Sequence, residues 1–150
     1  MPQSLHHKYG HIIFSTKDRL PLITPEIEPR LYEYLGGILR ASDATLLEIN
    51  GTPDHIHILL RETKSTADQD FLKHLKGDSS HWFNATFPTN TKFAWQRGYA
   101  WFSVGPQDVE AAAQYIRNQK EHHKKVTFQD EFRKFLRKYN VEHDERYLWD

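Results

Sequence analysis

The stretch Pro53-Asp54-His55-Ile56-His57-Ile58-Leu59-Leu60 decides the fold. Pro53-Asp54 has turn chemistry, because proline presets φ and aspartate hydrogen-bonds its own local backbone. The six residues after it read as a strand. Strand alternation sends Ile56 and Ile58 into the core and His55 and His57 to the opposite face. Upstream of the turn, Thr45 to Gly51 reads as a second strand, so the middle of the chain is a hairpin. Further upstream, Ile27, Leu31, Tyr34, Leu35 and Ile38 recur at helical spacing and predict a helix from Pro25 to Arg40, with Thr24 as its cap. Lys8 to Ser15 reads as a strand before it. Downstream, Ser65 caps a helix bearing Phe71, Leu72, Leu75, Trp82 and Phe83, which Pro88 ends. Trp95 to Val104 returns to strand character. Pro106 opens a helix whose apolar stripe is Val109, Ala112, Ala113 and Ile116, and Phe128 to Tyr139 predicts a last one. The order is β-α-β-β-α-β-α-α. Its first six elements are those of a ferredoxin-like, split βαβ domain of the α+β class: an antiparallel sheet with helices on one face, followed here by a C-terminal tyrosine-bearing helix.

Composition narrows the rest. A length of 150 residues, 38% of them hydrophobic and 13% aromatic, fits one domain (residues 1–150) with a core of its own and excludes disorder. Twenty basic against twenty acidic residues exclude a polybasic mode of binding for the chain as a whole. The absence of cysteine excludes disulfide scaffolds, thiolate zinc sites and cysteine nucleophiles. No apolar run approaches a membrane span and the N-terminus does not read as a signal peptide, so the expectation is a soluble, cytoplasmic domain with no membrane partner. Ten histidines are the compositional excess.

Three constellations carry chemistry. His55 and His57, two apart on one strand, can converge on a single ion, or they are two polar residues on a solvated sheet face; spacing alone leaves both open. Tyr115 and Gln119 are one helical turn apart and flank the apolar stripe of their helix; unaided, a half-buried tyrosine and a surface glutamine are the better reading of them. Charge is also segregated. Tyr115 to Lys138 holds eight basic and three acidic residues, whereas Asp43 to Asp70 holds six acidic and two basic, which points to one face for phosphates. Lys73 and Lys76, near Ser79 and Ser80, are donors suited to a nucleic-acid backbone, and Trp95, Tyr99, Trp101 and Phe102 are candidates for base stacking.

Taken in order, Pro53-Asp54-His55-Ile56-His57-Ile58-Leu59, Leu75-Lys76-Gly77, Trp95-Gln96-x-Gly98-Tyr99 and Tyr115-Ile116-x-x-Gln119 resemble the single-tyrosine HUH transposases of small bacterial and archaeal insertion sequences, the insertion-sequence 200/605-like group and its REP-associated relatives. Thr16-Lys17-x-Arg19 and Tyr147-Leu148-Trp149-Asp150 look like the family too. The resemblance covers nearly the whole chain. It implies that Tyr115 is a nucleophile making a 5′-phosphotyrosine bond. It also implies that His55, His57 and Gln119 hold a divalent metal, Mg2+ or Mn2+, with imidazole donors making manganese the better fit. On the same basis the substrate is single-stranded DNA with hairpin ends, Lys17, Arg19, Lys73 and Lys76 are expected to contact that DNA, and the protein is expected to be a homodimer. No residue suggests itself as a general base. A replication-initiator or relaxase nuclease would need a further domain. A non-catalytic single-strand nucleic-acid-binding domain of the same fold is the alternative, and it leaves His55, His57, Tyr115 and Gln119 coincidental.

Overall fold

The structure, a computed structural model, describes residues 2–3, 5–62 and 67–150; the expected Ser65 cap lies outside the described residues. The chain runs β1 (Tyr9–Ser15), α1 (Glu28–Ala41), β2 (Thr45–Thr52), β3 (His55–Arg61), α2 (Asp68–Thr86) and β4 (Ala100–Val104), then α3 (Val109–Arg117), α4 (Gln119–His122) and α5 (Phe128–Lys138). The strands pair in the order β2-β3-β1-β4, every neighbouring pair antiparallel. That is the split βαβ arrangement read from the sequence. Gly51 lets the β2–β3 hairpin close: a Cβ there would stand 2.1 Å from the His55 carbonyl oxygen.

Two boundaries moved for visible reasons. The first helix starts at Glu28 rather than Pro25, because residues 25–27 form a turn in which the amides of Ile27 and Glu28 both donate to the Thr24 carbonyl at 3.0 and 2.9 Å. The strand expected from Trp95 is cut to Ala100–Val104. Trp95 makes only an isolated bridge to Thr16. Beyond it, backbone and side-chain bonds are mixed: the Gln96 amide donates to the Ser15 carbonyl at 2.9 Å while its Oε1 accepts from the Ser15 amide at 2.8 Å, the Gly98 amide donates to the Asp150 carbonyl, and Lys76 Nζ donates to the carbonyls of Arg97 and Gly98. Backbone groups satisfied in this way have no need of a ladder.

Alternation along the strands divides the interior into two halves. Ile12, Phe14, Ile56, Ile58 and Leu60 join Leu31, Leu35 and Leu39 of α1 and Phe71, Leu72, Leu75 and Phe83 of α2 in the main core. On the reverse face, Ile13 and Phe102 meet Phe128, Phe132 and Leu136 of α5, while Leu59 and Val104 meet Ala113 and Ile116 of α3. The helices α1 and α2 thus share one face, as expected, and the tyrosine-bearing α3 covers the other together with α5. The histidine face is therefore not solvated. His55 and His57 are both fully buried.

Candidate active site

The site begins in the hairpin. In β3, His55 stands opposite Ser15 of β1 and Thr52 of β2, and His57 stands opposite Ile13 and Asn50. The Thr52 hydroxyl donates to Asp54 Oδ1 at 2.8 Å, and His55 Nδ1 lies 2.8 Å from that same oxygen and 2.9 Å from Thr52 Oγ1. Both partners there accept, so Nδ1 carries a proton and Nε2 is the inward-facing nitrogen. Burial acts to lower the pKa of His55, but its hydrogen bonds to the carboxylates of Asp54 and Glu131 outweigh it and raise the value above the usual range. His57 places Nδ1 at 2.8 Å from His11 Nε2. Desolvation dominates there and pushes His57 down to about 4.

The tyrosine helix is fastened to the neighbouring strand. Asn50 Nδ2 donates to the last carbonyls of α3, those of Ile116 and Arg117, at 3.0 Å each. Lys120 Nζ adds bonds to Asn50 Oδ1 at 2.6 Å and Glu28 Oε1 at 2.8 Å. The helix breaks at Asn118 and restarts as α4, which buries Gln119 completely and brings its Oε1 to 3.1 Å from His55 Nε2. One turn earlier, the half-buried Tyr115 has its ring centroid 6.0 Å from that of His57. The structure thus brings together all four residues singled out as catalytic or metal-binding.

It also adds three that the sequence did not single out, Glu131, His123 and His122. Glu131 of α5 is 2% exposed, and its Oε1 lies 2.9 Å from His57 Nε2, 3.0 Å from His123 Nε2 and 3.5 Å from His55 Nε2. The other oxygen, Oε2, accepts from Gln119 Nε2 at 2.8 Å and from the Tyr115 hydroxyl. His122 completes the surround, its Nε2 at 3.2 Å from the Tyr115 oxygen. Burial would raise the Glu131 pKa; the charge and hydrogen bonds of His57, His123 and His55 outweigh burial and hold it well below the usual carboxylate range. Tyr115 moves the other way, pushed above the usual phenol range by burial and by the charge of Glu131. A signal for Glu131 was present: it stands three residues after Phe128 and next to Phe132, inside the apolar stripe of α5, where an acid is expensive to bury unless partnered.

The donors fit a divalent cation. One ligand atom from each of His55, His57, His123 and Glu131 lies within 4.8 Å of the others, with His123 partly exposed and the other three buried. His55 has its second ring nitrogen hydrogen-bonded to a carboxylate, the outer partner that metal-binding imidazoles commonly carry.

Comparison with known proteins fixes the family. Residues 4–119 match the family described as transposase IS200 like. This chain belongs to that family. The IS200-like assignment agrees with a relative in Deinococcus radiodurans, the ISDra2 transposase TnpA, which is 29% identical over 85 residues. That match covers 57% of this chain, and the chain spans only 61% of the relative. A solved structure of a candidate transposase from Deinococcus radiodurans superposes with a TM-score of 0.64 at 27% identity, covering 79% of this chain and 98% of that one. The structure of a REP-associated tyrosine transposase bound to a REP hairpin gives 0.63 at 12% identity, over 84% of this chain and 74% of that one. At that identity the likeness is one of fold.

A cavity of about 650 Å³ opens beside the cluster, reached by His11, Tyr115, His122 and Glu131 and flanked by Lys134 and Lys138. The four residues expected at DNA lie elsewhere. Lys17 is exposed, and Arg19 sets its guanidinium 5.6 Å from the centre of the Trp149 ring. Lys73 and Lys76 line a groove of about 410 Å³ with Ser80, Arg97 and Tyr99. Lys76, tied to the carbonyls of Arg97 at 3.0 Å and Gly98 at 2.9 Å, is lowered by burial to about 8. Among the described residues, no helix is long and apolar enough to cross a membrane.

Proposed function

We propose that this IS200-like transposase cleaves and rejoins single-stranded DNA at insertion-sequence ends through a 5′-phosphotyrosine on Tyr115. Residues 1–150 act as one domain, as a homodimer, on DNA with hairpin ends. The observation that carries the reading is the shared carboxylate: Glu131 accepts from Tyr115 on one oxygen and faces His55 and His57 with the other. A phenol beside a buried histidine cluster and a ligand-sized cavity suits attack on a phosphodiester better than it suits passive binding.

His55, His57 and Gln119 would hold Mg2+ or Mn2+, which when bound supplies the positive charge that polarises a phosphate. The remaining work belongs to the chain. Glu131 and His122 orient the Tyr115 hydroxyl, and the wall formed by α3 and α5 keeps water from its buried side. The Tyr115 oxygen bonds to phosphorus and the phenol proton leaves; the 3′-oxygen departs with its electron pair and takes up a proton. Reversal by a 3′-hydroxyl frees Tyr115 and reseals the strand without ATP. The hairpin partner is supported by the fold likeness to a transposase whose solved complex contains one, and the groove with Lys73, Lys76, Arg97 and Tyr99 offers cations and an aromatic for it. Mixing the protein with Mn2+ and single-stranded DNA from the flanks of its own gene should give an adduct that survives denaturing electrophoresis. DNA binding without any adduct, with metal present, would leave a binding domain instead.

A further inference from the structure

The histidine cluster contains more donors than the proposed function uses. Three imidazole Nε2 atoms, from His55, His57 and His123, converge on one carboxylate oxygen of Glu131 at 3.5, 2.9 and 3.0 Å. Each ring is held from behind through its Nδ1: His55 by Asp54 at 2.8 Å, His57 by His11 at 2.8 Å, and His123 by the Val126 carbonyl at 2.7 Å. Three rings oriented from outside towards one point form the outer layer expected around a metal centre. An ordinary polar core has no such requirement. Glu131 is likewise oriented, its second oxygen held by Gln119 Nε2 at 2.8 Å and by Tyr115.

We infer that His123 and Glu131, delivered by the segment that follows the tyrosine helix, join His55, His57 and Gln119 as ligands of the same cation, giving a centre of three imidazoles, a carboxylate and an amide that takes Mn2+ or Co2+ in preference to Mg2+. The inference rests on the proposed metal reading and deepens it. Imidazole-rich sets favour first-row transition ions, whereas Mg2+ prefers oxygen ligands and keeps its waters. The carboxylate also reduces the net charge of a centre that two imidazoles and an amide leave at the full charge of the ion. Gln119 serves two partners, with its Oε1 beside His55 and its nitrogen on the carboxylate. Through Glu131, the cation and the Tyr115 hydroxyl share one side chain.

The test uses the full chain without DNA. Mn2+ binding is followed by loss of the free-ion electron paramagnetic resonance signal, and the bound ion by pulsed resonance, which counts directly coordinated imidazole nitrogens. The wild-type protein should show three such nitrogens, His123→Asn should show two, and Glu131→Gln should weaken Mn2+ at least tenfold. Glu131→Asp, which keeps the carboxylate, should fall between. The wild-type nitrogen count needs no variant to fold. Two nitrogens in the wild type, or Mn2+ affinity in a folded Glu131→Gln protein within twofold of wild type while His57→Ala has lost it, would overturn this inference and leave the proposed function standing. Absence of Mn2+ and Co2+ binding by the wild type would overturn both.

Discussion

One strand serves two regions that differ in almost every physical respect. Residues 56, 58 and 60 of β3 enter an apolar core of leucine, isoleucine and phenylalanine from α1 and α2. Residues 55 and 57 enter a polar centre of three imidazoles, a carboxylate and an amide under α3, α4 and α5. The first region is maintained by area removed from water, at about 1.5–3 kcal/mol for each large side chain. The second is maintained by mutual satisfaction of buried polar groups, where losing one partner leaves another exposed to the full desolvation penalty. Stability and chemistry therefore sit one residue apart, and substitutions at successive positions should fail in different ways.

The strongest way to break the comparison is at the phenol. Tyr115→Phe should abolish the protein–DNA adduct, a loss of at least ~10³-fold or about 4 kcal/mol in barrier terms, while hairpin affinity and the urea midpoint change little. An adduct that persists would move the nucleophile elsewhere and dissolve the polar region's claim to chemistry. On the other face, Ile58→Ala should cost about 2–5 kcal/mol in urea unfolding yet leave the adduct yield per folded molecule near that of wild type. His57→Ala should reduce cleavage by about 100-fold at low Mn2+, with partial recovery in excess Mn2+, and EDTA should stop the wild-type protein. Gln119→Ala is milder, about tenfold, because water can replace an amide oxygen. Smallest of all, replacing Lys73 and Lys76 together by Ala should flatten the salt dependence of hairpin binding by about 1.4 units, at ~0.7 per single-strand phosphate contact; an unchanged slope removes both from the interface.

What was readable from the sequence follows the same division. The apolar region announced itself through local period: alternation in His55–Leu60 and helical spacing in Ile27–Ile38 report which face of an element is buried. The polar region depends on contacts between distant residues. His57 and Glu131 are 74 positions apart, and no spacing rule links them. Tyr115 and Gln119 were legible as neighbours on a helix, but their burial was not, because it depends on α5 closing over the histidine face. Glu131 showed locally only as an acid on an apolar stripe. The shortened β4 was hidden for a related reason: Trp95 and Tyr99 favour a strand locally, yet beyond the isolated bridge of Trp95 the Gln96 and Lys76 side chains help to satisfy the backbone up to Gly98.

The bonds from Asn50 to the end of α3 bear on how such a chain tolerates change. Because the strand beside β3 grips the helix by its final carbonyls, the separation of Tyr115 from the histidines is set by the sheet and not by the connection through Gly105 and Pro106 that leads into the helix. A change in that connection should therefore move the phenol less than a change at Asn50. Position 50 has less latitude: the amide that holds the helix is on the strand, far in sequence from the residue whose place it keeps.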